Sequence, residues 1–388
     1  MTNWILSAVI IIYFISFVVL FCSIRRYAYD RVNIRGVIFL KEKRITVFQV
    51  AGTYIGTIVG AGFASGQEIF QFFVSFGIWG VAGLITITVL FIYFGYIIME
   101  LGWKLDASSH LPIVAKVGGR ILGSFSDMVI TFFLFGALTA MIAGSGALFH
   151  QEFGLHPMLG SFFMALITVI TVLGGFNSII NSISTIAPFL VLSALFVSIF
   201  SILSAPSLTG IDTRSIEKPV MLRNWLWSAI LYISYNIVPS ISILGPLGRE
   251  TQNRKIIRKG AIIGGLGLGI GATSIFMTLF INAETVKNLE VPMIMIARRI
   301  SPVVQVLYSV VLLAEIYTSA VGDLYGFASR ICNMKTKKAT FVILICSVLA
   351  FSASLAGFSN LVRYLYPSVG YCGVLTLICL IYYRVARH

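Results

Sequence analysis

Long apolar runs recur through the whole of this chain and set the solvent in which it must fold. They lie near residues 4–23, 45–76, 79–102, 121–149, 157–174, 179–204, 223–246, 260–282, 302–329, 339–356 and 364–383. Roughly 20 mostly apolar residues cross a bilayer once as a helix, so the spacing predicts an all-α membrane protein with eleven transmembrane helices. Charged residues make up only 11% of the 388 and hydrophobic ones 58%, whereas about a quarter of an ordinary globular chain is charged. No large soluble domain fits between the runs, and the lipid bilayer is the first partner the sequence implies.

A net charge of +14 would suggest nucleic acid in a soluble domain, but its placement along the chain points away from that partner. Connections 24–44, 103–120, 247–260 and 330–338, with the tail from Arg384, hold 21 of the 28 Lys and Arg residues. The opposite side carries Arg214, Lys218, Arg223, Lys287, Arg298, Arg299 and Arg363. Basic connections stay in the cytoplasm, so the expected orientation in the cell membrane is N-terminus outside and C-terminus inside. The first run could be a secretory signal peptide, but no Lys or Arg precedes it and Arg25 and Arg26 follow it directly, the charge order of a retained anchor. Residues 1–44 then form an extra helix with a basic cytoplasmic link, which lies near anionic headgroups or serves only to set topology.

Little points to an enzyme. Cys22, Cys332, Cys346, Cys372 and Cys379 lack the spacing of a disulfide framework or a zinc site, and His110, His150, His156 and His388 form no cluster. Neither metal catalysis nor a cofactor is expected. Asp127 and Asp323 raise the possibility of an intramembrane aspartyl protease, yet Ala320 stands where a Gly-x-Gly-Asp pattern needs glycine, and Ser126 rather than Tyr precedes Asp127. Both acids are expected to pair with basic residues near the ends of their spans, Asp323 with Arg330. The run Gly264 to Gly269 imitates a nucleotide loop, but no strand precedes it, and close helix packing explains it.

The second run departs from an ordinary span. Between Gly56 and Glu68 it holds Gly56, Gly60, Gly62 and Gly66 followed by a Gln67-Glu68 pair, in the middle of 32 residues. A Gly56-x-x-x-Gly60 packing face would explain the first two glycines but not Ser65 to Glu68. Two half-helices joined by unwound chain explain all of them, and unwound chain at membrane depth is tolerated only where it lines a cavity or is buried in protein. A second break is expected around Ser234 to Ser240, where Pro239 removes a backbone donor. With residues 1–44 set aside, the chain divides into five spans over 45–204, an extracellular loop over 205–222, and five spans with a short tail over 223–388. Each half opens on a broken helix, and the halves start on opposite sides, the pattern of an inverted-repeat secondary transporter.

This layout resembles the LeuT fold of the amino acid, polyamine and organocation (APC) superfamily, with broken first and sixth core helices and one extra N-terminal helix. The stretch Val59-Gly60-Ala61-Gly62-Phe63-Ala64-Ser65-Gly66-Gln67-Glu68 is similar to the signature of the YkvI-like bacterial membrane proteins within it. The resemblance covers roughly 45–383. It implies a sodium site using the carbonyls of Gly56 and Val59 and the hydroxyls of Thr318 and Ser319.

Glu315, Thr318, Ser319, Gly322 and Gly326 fall on one face of the span 302–329, and such a polar stripe must face the interior because an ionisable group in lipid costs several kcal/mol. Glu315 stands where the resembled sodium transporters have a small residue, so a buried carboxylate could carry a proton instead. Possible bound Na⁺ and proton coupling through Glu315 both stay open. The glycine-rich break is expected to meet the substrate at Gly60, Gly62, Phe63, Ala64, Ser65 and Gly66, the amides from Gly62 to Gly66 offering an anion cradle, while Glu68 could meet an ammonium, gate the site or only stabilise the N-terminus of its helix. Phe63, Tyr235 and Asn236 are expected to shape the side-chain pocket.

The expected function is secondary active transport of a small-molecule substrate, an amino acid or related organic compound, by alternating access. The alternative is a ligand sensor or receptor subunit on the same fold. Monomer and homo-oligomer are equally compatible with the sequence.

Overall fold

The computed structural model describes residues 45–107, 109–174, 192–203, 219, 221–332, 334 and 337–386. The run 4–23, the basic link before Arg44 and most of the loop 205–222 lie outside the described residues. The helices are α1 Val47–Ile58, α2 Ala61–Ser65, α3 Gln67–Phe72, α4 Trp79–Lys104, α5 Leu111–Phe153, α6 Pro157–Leu173, α7 Leu192–Leu203, α8 Trp225–Thr251, α9 Arg254–Ile281, α10 Ala283–Val286, α11 Pro292–Ile300, α12 Pro302–Ile331, α13 Lys337–Ser354 and α14 Phe358–Val385. Six of them, α4, α5 from Gly123 onward, α8, α9, α12 and α14, are long and apolar enough to cross a membrane.

Helix starts follow the local chemistry. Thr46 and Gln49 form a reciprocal cap on α1, and Asn224, Asn253 and Ser301 accept from first-turn amides of α8, α9 and α12. Proline opens α6, α11 and α12, where its missing N–H is no loss. Within α5 the helix turns sharply at Gly119, whose φ of 68° only glycine adopts easily.

The break expected around Pro239 is not there. Helix α8 runs unbroken from Trp225 to Thr251 through both Pro239 and Pro246. A proline withdraws one donor from the ladder but leaves its neighbours intact, and the polar residues that suggested unwinding bond locally instead. Asn236 Nδ2 donates to Tyr232 O at 3.0 Å, Ser240 Oγ to Ile237 O at 2.8 Å and Ser242 Oγ to Pro239 O at 2.7 Å.

The chain forms two compact units, each drawing segments from both halves of the sequence. In the unit of residues 44–134, 198–288 and 359–388, α4 packs along α8 at glycine contacts. A β-carbon at Gly102 would meet the backbone of Gly245, and one at Gly248 the backbone of Met99. Helix α9 turns its glycines the same way, Gly260 and Gly264 against Val50 and Tyr54 of α1, Gly265 and Gly269 against Ile92 and Thr88 of α4. The stretch that imitates a nucleotide loop is thus a packing seam.

In the other unit, residues 135–197 and 289–358 among those described, polar side chains tie helices together. Thr171 Oγ1 and Tyr317 Oη share a hydrogen bond of 2.7 Å, and Ser145 Oγ donates to Gly160 O at 3.0 Å. Gln151 accepts from Val291 N at 3.2 Å and donates to Val291 O at 2.9 Å. Glu152 accepts from Gln305 Nε2 at 2.8 Å and Ser309 Oγ at 3.3 Å.

Candidate functional site

The backbone breaks twice within the expected stretch. The ladder of α1 ends with Val59 N donating to Ile55 O at 2.8 Å, and Val59 and Gly60 are extended (φ −74°, ψ 116° and φ −129°, ψ −173°). The carbonyls from Gly56 onward are thereby released from α1. Helix α2 restarts at Ala61 and stops at Gly66, whose φ of 82° separates it from α3. Ser65 Oγ bridges this second break, donating to Gly62 O at 3.0 Å and accepting from Gln67 N at 3.3 Å. The expected amide cradle is smaller than the sequence suggests, because Ala64 N and Gly66 N donate to Gly60 O at 3.0 Å and Phe63 O at 3.1 Å. Ala61, Gly62 and Phe63 remain as the uncapped first turn of α2.

Glu68 fills the space at that turn. Its side chain folds back over Gly62, where an added β-carbon would overlap the carboxylate. It is 6% exposed, and Tyr235 Oη donates to its Oε2 at 2.5 Å. The Tyr232 hydroxyl is also buried and lies near Glu68. Rings enclose this pair: Tyr235 stands 5.3 Å from Tyr232, 5.5 Å from Phe72, 5.0 Å from Tyr366 and 6.4 Å from Phe133, centroid to centroid. A carboxylate inside an aromatic shell is an environment for a cation, attracted by the charge and by the ring faces together.

Glu68 and Tyr235, both expected at the substrate site, are therefore brought together. Asn236 is not, because it lies a helical step around α8 and spends its amide on Tyr232 O. Phe63 is buried against Gly271 of α9. Tyr232, Tyr366 and Phe72 are additions to the expected set. The i, i+3 spacing of Tyr232 and Tyr235 would have signalled the first, whereas nothing local points to Tyr366.

On α12, in the other unit, Glu315 and Thr318 are 4% and 2% exposed, while Ser319, Gly322 and Gly326 are half-buried. Thr318 Oγ1 donates to Glu315 O at 3.1 Å, Ser319 Oγ lies 3.5 Å from Glu315 Oε1, and Glu315 Oε2 has no partner among the described residues. A buried carboxylate oxygen without a donor, beside two hydroxyls, fits a small hard cation. The residues of the expected sodium site are thus divided between the units, Gly56 and Val59 in one, Thr318 and Ser319 in the other. Asp127 has a basic partner, His110 Nε2 at 2.7 Å. Asp323 makes no ion pair with Arg330, because seven residues of helix separate their origins by about 10.5 Å.

These features define a polytopic membrane protein whose first described helix is broken around a buried carboxylate, and its fold is similar to that of solved LeuT-fold transporters. A Na⁺-coupled sialic acid symporter in its substrate-bound outward-open state matches with a TM-score of 0.59 at 13% identity, over 96% of this chain and 86% of that one. A mutant of the manganese transporter of Eremococcus coleocola gives 0.55 at 12%, over 90% and 82%, and MhsT in complex with L-phenylalanine gives 0.52 at 16%, over 86% and 88%. No protein-family model matches the chain. Its sequence is homologous to two proteins of Bacillus subtilis (strain 168): the membrane protein YkvI, 27% identical over 86% of this chain and 94% of the relative, and YyaD, 29% identical over 85% and 95%.

Proposed function

We propose that the chain is a secondary active transporter for a small organic solute bearing a protonated amine, an amino acid or a related compound, bound where α1 gives way to α2. The observation that carries this reading is Glu68, held by Tyr235 inside the aromatic shell at the double break. A lone carboxylate at that depth costs several kcal/mol, and a bound ammonium offsets the cost. Because the protein's own carboxylate lies over Gly62, the amine end of the substrate is the end this site recognises. The transporters of the same fold support the reading at the level of architecture.

Coupling uses a monovalent cation on α12. The orphaned Glu315 Oε2 and the hydroxyls of Thr318 and Ser319 supply oxygen ligands of the kind Na⁺ takes, and a proton on Glu315 is the competing form of the same device. In the membrane the strongly basic connections face the cytoplasm. In a variant otherwise free of cysteine, His156→Cys should then react with an impermeant maleimide added to whole cells and Lys255→Cys should not; the reverse pattern would invert the topology.

Gly62→Ala tests the site itself. The added carbon displaces Glu68, so substrate should no longer raise the unfolding temperature of the detergent-solubilised protein, while the apo protein loses about 1–3 kcal/mol from overpacking. Undiminished substrate stabilisation in this variant would remove the site from the break.

A further inference from the structure

The ends of three spans converge on a basic cavity that takes no part in the proposed transport site. We infer that the last turns of α4 and α14 and the first turn of α9 bind the phosphate headgroup of an anionic phospholipid. The cavity measures about 300 Å³, and its wall includes Glu100, Lys104, Arg254 and Arg384, with Ile97 and Leu101 as an apolar flank. Glu100, 1% exposed, is the organising group: Arg384 Nη1 donates to its Oε2 at 2.6 Å, while Arg254 Nε and Lys104 Nζ lie 3.0 Å and 3.4 Å from its Oε1. Tyr96 steadies the two guanidinium groups, its hydroxyl accepting from Arg254 Nε at 3.1 Å and its ring lying 5.8 Å from Arg384 Cζ.

An ion-pair cluster that served only to hold helices together would be balanced. This one sets three cations against one carboxylate, the only acid among the described residues of the wall. The Lys104 and Arg254 side chains stay 50% and 59% exposed, and Arg254 meets Tyr96 and Glu100 through Nε. A guanidinium fork and a nearby ammonium, pre-oriented by a buried anion, match the two free oxygens of a phosphodiester.

Position selects a lipid over a soluble phosphate. Lys104, Arg254 and Arg384 stand at the ends of three helices long enough to span a bilayer, so the cavity sits at headgroup depth with its apolar flank toward the acyl region. It also lies on the side that the positive charges assign to the cytoplasm, and basic pockets between spans on that side suit anionic headgroups.

The test uses delipidated full-length protein in detergent, its thermal unfolding followed with added phosphatidylglycerol, phosphatidylcholine or inorganic phosphate. Phosphatidylglycerol should raise the unfolding temperature while the other two leave it unchanged. In K104Q/R254Q its apparent affinity should fall about 25-fold, at about fivefold per basic contact, whereas K255Q/K259Q, with the same loss of charge outside the cavity, should keep the wild-type affinity. Equal stabilisation by phosphatidylcholine, or equal weakening in both double variants, would overturn the site; stabilisation by inorganic phosphate would overturn its assignment to lipid. Should K104Q/R254Q fail to fold, native mass spectrometry of the wild-type protein decides: retained phosphatidylglycerol over phosphatidylcholine that is lost in R254Q alone supports the site, and unselective retention contradicts it.

Discussion

Glu68→Gln should abolish the stabilisation that substrate confers while leaving the protein folded. The amide keeps the size of the side chain and still accepts from Tyr235, whose hydroxyl lies 2.5 Å from Glu68 Oε2, so the aromatic shell has no reason to collapse. What disappears is the charge facing the substrate amine. Removing one partner of a buried, hydrogen-bonded charge pair costs about 2–5 kcal/mol, which at 1.4 kcal/mol per decade weakens binding from about 30-fold to several thousandfold. Tyr235→Phe should act in the same direction but less, since it removes one hydrogen bond to the carboxylate, about 1.5–3 kcal/mol. Isothermal titration with a panel of amino acids and amines reads both. An affinity in Glu68→Gln within threefold of wild type would mean that the carboxylate only braces the helix break.

The second large effect concerns coupling. If α12 holds Na⁺, replacing Thr318 and Ser319 together by Ala takes away two oxygen ligands, and the sodium dependence of substrate binding should weaken at least tenfold, the loss of about 1.4 kcal/mol, while its pH dependence persists. If Glu315 carries a proton instead, Glu315→Gln should flatten the pH dependence, because an amide cannot titrate, and leave sodium without effect. Either ion must bind more tightly when substrate is present, since coupling between sites is reciprocal. The paired hydroxyls favour sodium. Full substrate binding without Na⁺ at fixed pH, untouched by the double Ala change, would transfer the role to the proton on Glu315.

The break in the first described helix was legible in the sequence because its causes are local. Only glycine sits easily at a φ of 82° as Gly66 does, and only glycine lets a carboxylate lie over the backbone as at Gly62; both demands leave glycine in the text. Glu68 was visible for a related reason, as a charge where a span should have none. The supposed break at Pro239 misled because a proline and several polar residues look alike whether a helix unwinds there or absorbs them, and absorption depends on side-chain rotamers. Asn236 is one of those absorbed, its amide bonded to Tyr232 O. Tyr366 and the Glu100 cluster depend on α14 packing beside α8 and α4, a long-range outcome that no local pattern encodes. Asp323 and Arg330 lay on one helical face, but face alone ignores rise, and their side chains start too far apart to pair.

Counterflow in proteoliposomes tests the central claim most directly. Vesicles containing the purified protein and loaded with an unlabelled amine-bearing substrate, with sodium equal on both sides, should accumulate the radiolabelled substrate transiently above equilibrium. Vesicles with Glu68→Gln should not. Binding of the same substrate by the wild-type protein with no counterflow under any sodium or pH condition would contradict transport and leave a ligand sensor on this fold.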